Sequence, residues 1–304
     1  MKQEQLIRML ASPEGIVDMV LDTDAYNEID DQFAIAYALK SPDKVSVKAL
    51  YAAPFYNSMS TGPKDGMEKS YDEIKKIITL AGRADLADMT YRGSERYLPD
   101  EKTPVESEAM RDLIERARTY TSEKPLYVVA IGAITNVASA LIAAPDIADK
   151  MVLVWLGGHA WDWNDTAEFN MMQDVAAARV VFGCGVPLVQ LPCMGVVSSF
   201  YTTKPELEYW LAGKNPLSDY LAKNTIAAAE SYAAGRVWSR VIWDVTAVAF
   251  LTDRGGLLQS RLDYSPIPEY DHHYGFDRRR QLMRYVYHVN RDALMGDLFN
   301  RLTK

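Results

Sequence analysis

Short apolar runs alternate with helix-forming stretches along nearly the whole chain, and this alternation constrains the fold more than any other feature. Residues 16–21, 45–53, 125–131, 151–156 and 187–191 read as strands. Between them, residues 31–40, 67–81, 106–120, 135–144 and 173–182 are rich in helix formers. Strands that are apolar throughout, rather than at every second residue, are buried on both faces. The pattern predicts an α/β fold: an open, mostly parallel Rossmann-like sheet with helices on both sides. A short strand near 89–91, helices within 205–232 and 241–251, late strands at 257–263 and 281–289 and a terminal helix complete the order. No repeat or Pro/Ser-rich linker interrupts the 304 residues, so one domain spanning 1–304 is expected.

In such sheets ligands gather beyond the carboxyl ends of the strands. The first strand ends in Val20-Leu-Asp-Thr-Asp-Ala-Tyr-Asn-Glu-Ile-Asp-Asp31, which puts Asp22, Asp24, Asp30 and Asp31 around one strand-to-helix turn. Carboxylates this dense repel one another unless a cation neutralises them. No His or Cys lies among them, so a hard, oxygen-loving ion, Ca2+ or Mg2+, is expected. An isolated Asp-Asp pair at a helix start is usually a cap, but the outer pair of acids gains nothing from the helix dipole. Other strand ends supply further polar groups. Asn57 lies in the loop after the second strand. His159-Ala-Trp-Asp-Trp-Asn-Asp-Thr-Ala-Glu-Phe-Asn170 follows Gly157-Gly158 and suits a polyhydroxylated ligand with a flat portion. Asp244 opens an otherwise apolar helix, either as its cap or as part of a site.

The net charge of −8 disfavours a nucleic-acid binder, since the only dense basic run is Arg278-Arg-Arg280, read as a solvated turn. No stretch approaches the roughly 20 apolar residues of a membrane span, and the first residues lack the apolar core of a signal peptide. Cys184 and Cys193, both in apolar surroundings, suit two buried free thiols in a reducing cytoplasm.

Taken together, Asp22-Thr-Asp24, Asp30-Asp31, Ala130-Ile-Gly-Ala-Ile-Thr-Asn136, Gly157-Gly158, Glu168-Phe-Asn170 and Trp243-Asp244 resemble the calcium-dependent nucleoside hydrolases, the inosine–uridine-preferring N-ribohydrolases. The resemblance implies that Asp24, Asp31, Asp244 and the backbone carbonyl of Ile131 hold Ca2+, with Asp24 doubling as the general base. It implies that Asp30, Asn57, Glu168 and Asn170 hold the ribose hydroxyls and that Asp22 supports the turn. It also implies a homodimer or homotetramer acting on a small ribonucleoside. The chemistry is coherent: N-glycosidic cleavage passes through an oxocarbenium-like sugar, which carboxylates and amide oxygens stabilise.

Three departures bear on specificity. The turn 25–29 is longer than the family's short Pro-Gly-type turn, so Asn27 and Glu28 either reshape the loop or enter the site. Trp243 occupies a position where many members carry a His that helps protonate the leaving base; a purine-preferring branch also has Trp there. Stacking of the indole on a purine would favour the protonated base, with Trp161 or Trp163 on its other face and His159 as a candidate acid. Residues 102–109 replace a His-Gly stretch, leaving the base side of the pocket open. Two other readings start from the same residues: a Mg2+ phosphatase of the haloacid-dehalogenase type, for which no matching Lys and late acidic pair is found, and a non-catalytic nucleoside or sugar sensor. A dinucleotide-binding oxidoreductase is disfavoured because no Gly-x-Gly-x-x-Gly follows the first strand.

Overall fold

A computed structural model describes all residues from 1 to 304. Its main sheet comprises β1 (Val17–Thr23), β2 (Val45–Ala52), β3 (Thr90–Arg92), β4 (Leu126–Ala130), β5 (Met151–Leu156), β6 (Leu188–Leu191), β9 (Leu258–Tyr264) and β12 (Leu282–Val289). Two small ribbons, β7 (Tyr201–Thr202) with β8 (Arg240–Val241) and β10 (Ile267–Pro268) with β11 (Tyr274–Gly275), stand apart from it. The strand order is β3-β2-β1-β4-β5-β6-β12-β9, parallel throughout except for β9, which runs antiparallel to β12.

Side chains in the central strands alternate between two cores, as the two-residue period of a strand requires. Met19 and Leu21 of β1, Val129 of β4 and Val152 and Val154 of β5 face one side. Val20, Val128, Leu153 and Trp155 face the other. Because both sides are covered, neither set can be polar. On the first side lie helices Asp30–Leu39, Pro63–Leu80, Val245–Thr252 and Arg291–Leu302; on the second lie Glu108–Ala117, Thr135–Ala143 and Val175–Gly183.

Two of these helices position the site. Every residue of Asp30–Leu39 and of Val245–Thr252 is buried, and the two helices pack on each other. Chain connectivity runs outward from β1 through β2 to β3, then restarts at β4 and proceeds the other way through β5 and β6. The reversal falls between β1 and β4, and the strand ends diverge there to leave a crevice. Asp24, just past β1, and Ile131, just past β4, flank it.

The short elements are where sequence pattern and structure part. The N-terminal helix Gln3–Met9 and both ribbons carry too few residues to show a period. The expected helix at 173–182 is preceded by a separate short one, Phe169–Gln173, that begins at the Glu-Phe-Asn triplet. Cys193 is buried as expected, whereas Cys184 lies at the surface. No helix is long and apolar enough to cross a membrane.

Candidate active site

A cavity of about 270 Å³ opens at the crevice, just below the roughly 300–1,000 Å³ of small-molecule sites. Asp24, Asp30, Asp31, Ile131, Glu168, Asn170, Trp243 and Asp244 all line it, as do Asn27 and His159. Residues separated by more than 200 positions in sequence thus meet because Val245–Thr252 packs beside Asp30–Leu39 with both N-terminal ends at the crevice. Those ends carry partial positive charge and offset a little of the repulsion among the acids.

The carboxylates are not acting as helix caps. Asp244 occupies the cap position of its helix, yet its side chain accepts no capping hydrogen bond; the helix starting at Asp30 is also uncapped by a side chain. Instead the acids turn toward one another. Single oxygens of Asp30, Asp31 and Asp244 come within 4.8 Å of each other. Asp31 is also within hydrogen-bonding reach of Asp24, and its Oδ1 accepts from Thr23 Oγ1 at 2.5 Å. The convergent trio therefore includes Asp30, expected at the sugar, while Asp24 joins the group through Asp31.

Burial pushes every member of this group toward the protonated form. Asp31 is raised to about 7, mainly by desolvation, against which the Thr23 hydroxyl pulls. Asp24, Asp30 and Asp244 are raised well above the carboxylate range, first by burial and then by neighbouring carboxylates. Asp24 Oδ2 and Asp30 Oδ1 are buried with no hydrogen-bond partner. Orphaned carboxylate oxygens facing like charges cost several kcal/mol unless a cation satisfies them. An all-oxygen donor set with free lone pairs fits a hard divalent ion.

The surrounding framework fixes this geometry. Asp22 Oδ1 accepts from Asn136 Nδ2 at 2.7 Å; the same amide nitrogen reaches the Ala52 carbonyl at 3.2 Å, and Asn136 Oδ1 accepts from Ser94. Asp22 thus ties β1 to β2 and to the helix after β4, as a supporting rather than cavity-lining residue. Gly132 lets Asp24 approach the β4 turn, since a Cβ there would lie 3.0 Å from both Asp24 Oδ1 and Ala53 Cβ. Gly158 has φ +75°, and a Cβ on it would sit 2.2 Å from the Tyr274 hydroxyl oxygen.

Glu168 and Asn170 line the cavity but are already engaged. The Glu168 carboxylate accepts three backbone N–H groups, from Gly158 (2.9 Å), Asn170 (2.9 Å) and Met171 (3.0 Å). Asn170 Nδ2 donates to the carbonyls of Leu156 at 3.0 Å and Ile131 at 3.2 Å, so it orients the Ile131 carbonyl expected at the cation. His159 Nδ1 accepts from the Met194 N–H at 3.3 Å, which puts the ring proton on Nε2. Burial lowers its pKa, against an opposing pull from Asp165, and holds the ring neutral.

Four expected residues fall outside the lining. Asn57 donates to Asn27 Oδ1 at 2.5 Å and so stands behind a wall residue. Trp161 turns away, its indole N–H on Gln190 and its ring on Tyr285 and Phe276, so it cannot sandwich a base against Trp243. Trp163 is exposed and meets only the edge of His159, and Asn164 lies at the surface. Glu28, left open between reshaping the turn and entering the site, lines the cavity with Asn27, and Phe169, Cys193 and Met194 line it without having been singled out as site residues. Cys193 and Met194 follow β6, so the strand-end rule held the signal for them.

Over residues 19–294 the chain matches the family model described as inosine-uridine preferring nucleoside hydrolase. The chain belongs to that family. Similar curated proteins include a probable uridine nucleosidase 2 of Arabidopsis thaliana, 25% identical over 67% of this chain and 67% of the relative. A pyrimidine-specific ribonucleoside hydrolase RihA of Escherichia coli is 28% identical over 64% of this chain and 66% of its own length. The chain thus spans about two thirds of these curated relatives. Two solved structures share the fold: a plant nucleoside hydrolase (TM-score 0.76, 21% identity, 94% of this chain and 99% of that one) and a purine-preferring ribonucleoside hydrolase from Gardnerella vaginalis (TM-score 0.74, 20% identity, 94% and 98%). The enzyme class expected of the sequence, nucleoside N-ribohydrolase, agrees with all of these names.

Proposed function

We propose that this nucleoside hydrolase family member cleaves the N-glycosidic bond of ribonucleosides to free base and ribose, with Ca2+ as its cation and purine ribosides preferred. The observation that carries the reading is the buried group Asp24, Asp30, Asp31 and Asp244 with its orphaned oxygens, set at the floor of a cavity whose wall includes Trp243 and His159. A divalent cation held there by Asp24, Asp31, Asp244 and the Ile131 carbonyl would acidify and orient water; Ca2+ suits such an irregular oxygen set.

The chain's own groups account for the rest. Asp24, with Oδ2 free, takes the proton of the attacking water as its oxygen bonds to the anomeric carbon. The C–N bond breaks, its electron pair leaving with the base. Asp30 and the polar groups of Glu168 and Asn170 face the sugar and stabilise positive charge developing on it. The departing base gains a proton from solvent or from His159 Nε2, which the Met194 contact leaves as the protonated nitrogen. Half-buried Trp243 offers one indole face to the base, and a purine, with its larger π surface, gains more from it than a pyrimidine does.

The test is ribose release from purine, pyrimidine and nicotinamide ribosides, with and without a chelator, followed by Ca2+ or Mg2+ readdition. Chelator-sensitive turnover restored best by Ca2+ and fastest on purine ribosides is expected. Turnover indifferent to chelation would overturn the cation's role, and pyrimidine ribosides cleaved faster would overturn the purine preference. Tight riboside binding without turnover at saturating Ca2+ would favour the sensor reading.

A further inference from the structure

The ribbon β10–β11 stands apart from the main sheet and does not line the cavity, yet it holds the loop that carries Glu168 and Asn170. The hydroxyl of Tyr274, in β11, accepts from Gln190 Nε2 at 2.8 Å, and its own proton points to Met171 Sδ at 3.9 Å. Gln190, in β6, is completely buried. Its second amide proton goes to the Gly157 carbonyl at 3.0 Å, and its Oε1 accepts from the Trp161 indole N–H at 2.9 Å. At the turn of the ribbon the carbonyl of His272, a residue with φ +63°, accepts from the Thr166 N–H at 2.7 Å. These contacts converge on one carboxylate oxygen. Glu168 Oε2 accepts from the N–H groups of Gly158 at 2.9 Å and Met171 at 3.0 Å. Both donors belong to residues beside the Tyr274 hydroxyl: Met171 meets it through sulfur, and a Cβ on Gly158 would lie 2.2 Å from it.

We propose that Tyr274 and Gln190 are positioning residues: together they aim the Gly158 N–H at Glu168 and so fix that carboxylate against the sugar. The proposal rests on the hydrolase reading above. Its physical basis is a single peptide plane. The carbonyl that Gln190 holds and the N–H that Glu168 accepts belong to the same Gly157–Gly158 peptide, so fixing one end fixes the direction of the other. Two successive glycines would otherwise let that plane turn. The Trp161 indole can only donate, which commits Gln190 Oε1 to it and leaves both Nε2 protons for Gly157 and Tyr274. Glu168 depends on this arrangement because it is buried and no Lys or Arg lines the cavity with it. Directional N–H bonds are then what holds its carboxylate in place.

The experiment is a double-mutant cycle in the calcium-loaded protein: Tyr274→Phe, Glu168→Ala and their combination, with kcat/KM read on inosine and on a nitrophenyl riboside. Tyr274→Phe is expected to lower kcat/KM about tenfold on both substrates, with Ca2+ affinity by calorimetric titration unchanged. In the Glu168→Ala background the same change is expected to cost under about twofold, because the group it positions is gone. A residue that only packs would cost as much in both backgrounds. That result, or full turnover in Tyr274→Phe, overturns the proposal, as does Ca2+ affinity falling in step with turnover, which would put the fault at the acids instead. Titration with ribose needs neither turnover nor the Glu168 variant: Tyr274→Phe is expected to bind it several-fold more weakly than the wild type, and equal binding overturns the proposal. Cleavage of inosine by the wild type with any of these failures leaves the hydrolase reading standing. No cleavage of any riboside removes that reading, and the ribose titration then decides the positioning by itself.

Discussion

Removing the cation should destabilise the protein in a pH-dependent way whose sign follows from the buried acids. Asp31 is held at about 7 in the folded chain by burial, against roughly 3.9 when unfolded. Between those values the folded state keeps a proton that the unfolded state releases. Stability of the metal-free protein therefore falls as pH rises through that window, by about 1.4 kcal/mol per pH unit for this one group, and levels off above it. The neighbouring acids are shifted in the same direction and steepen the loss. A bound cation replaces the protons and reverses the loss. At a free concentration one hundred times its dissociation constant it contributes about 2.7 kcal/mol, which for a chain of this size is roughly 5 °C in Tm. Differential scanning calorimetry with chelator or with Ca2+ is the assay. The expected gain is about 5 °C near pH 7.5, where the carboxylates are free to bind, and close to none near pH 5, where protons compete. An equal Tm with chelator and Ca2+ near pH 7.5, or equal gains at both pH values, would refute the reasoning.

Four other outcomes are expected. Asp24→Asn should lower ribose release by about three orders of magnitude or more while leaving the chelated protein's Tm no lower, since a repelling buried charge is gone. Trp243→Ala should slow inosine cleavage more than cleavage of a nitrophenyl riboside, whose leaving group needs no help; equal slowing would end the stacking argument. Gly132→Ala would press a methyl 3.0 Å from Asp24 Oδ1, and calorimetric titration should find Ca2+ bound about tenfold more weakly. Asn136→Ala would strip Asp22 of its one side-chain partner and should cost about 3 kcal/mol in urea unfolding.

The ion pair between Glu28 and Arg240, at 2.9 Å, marks the limit of local reasoning at this site. Asn27 and Glu28 were visible as extra turn residues, but whether they reshape the loop or face the cavity depends on where β8 lies, some 210 positions later. Trp161 and Trp163 illustrate the converse. Their sequence neighbourhood suggested an aromatic wall, yet Gln190 of β6 and Tyr285 of β12 give Trp161 better partners. A loop of mixed aromatic and polar residues has no period from which to tell inside from outside.

By itself the sequence determined the parallel sheet, its flanking helices and the density of acids at the first strand end, because apolar continuity, helix propensity and charge repulsion are local properties. It also determined that whatever neutralises those acids prefers oxygen ligands. Only the tertiary structure decided which acids converge, with Asp30 beside Asp31 and Asp244, and that Glu168 and Asn170 brace the crevice through backbone hydrogen bonds. Those outcomes follow from how two buried helices dock across the switch point between β1 and β4, a long-range packing result that no window of residues contains.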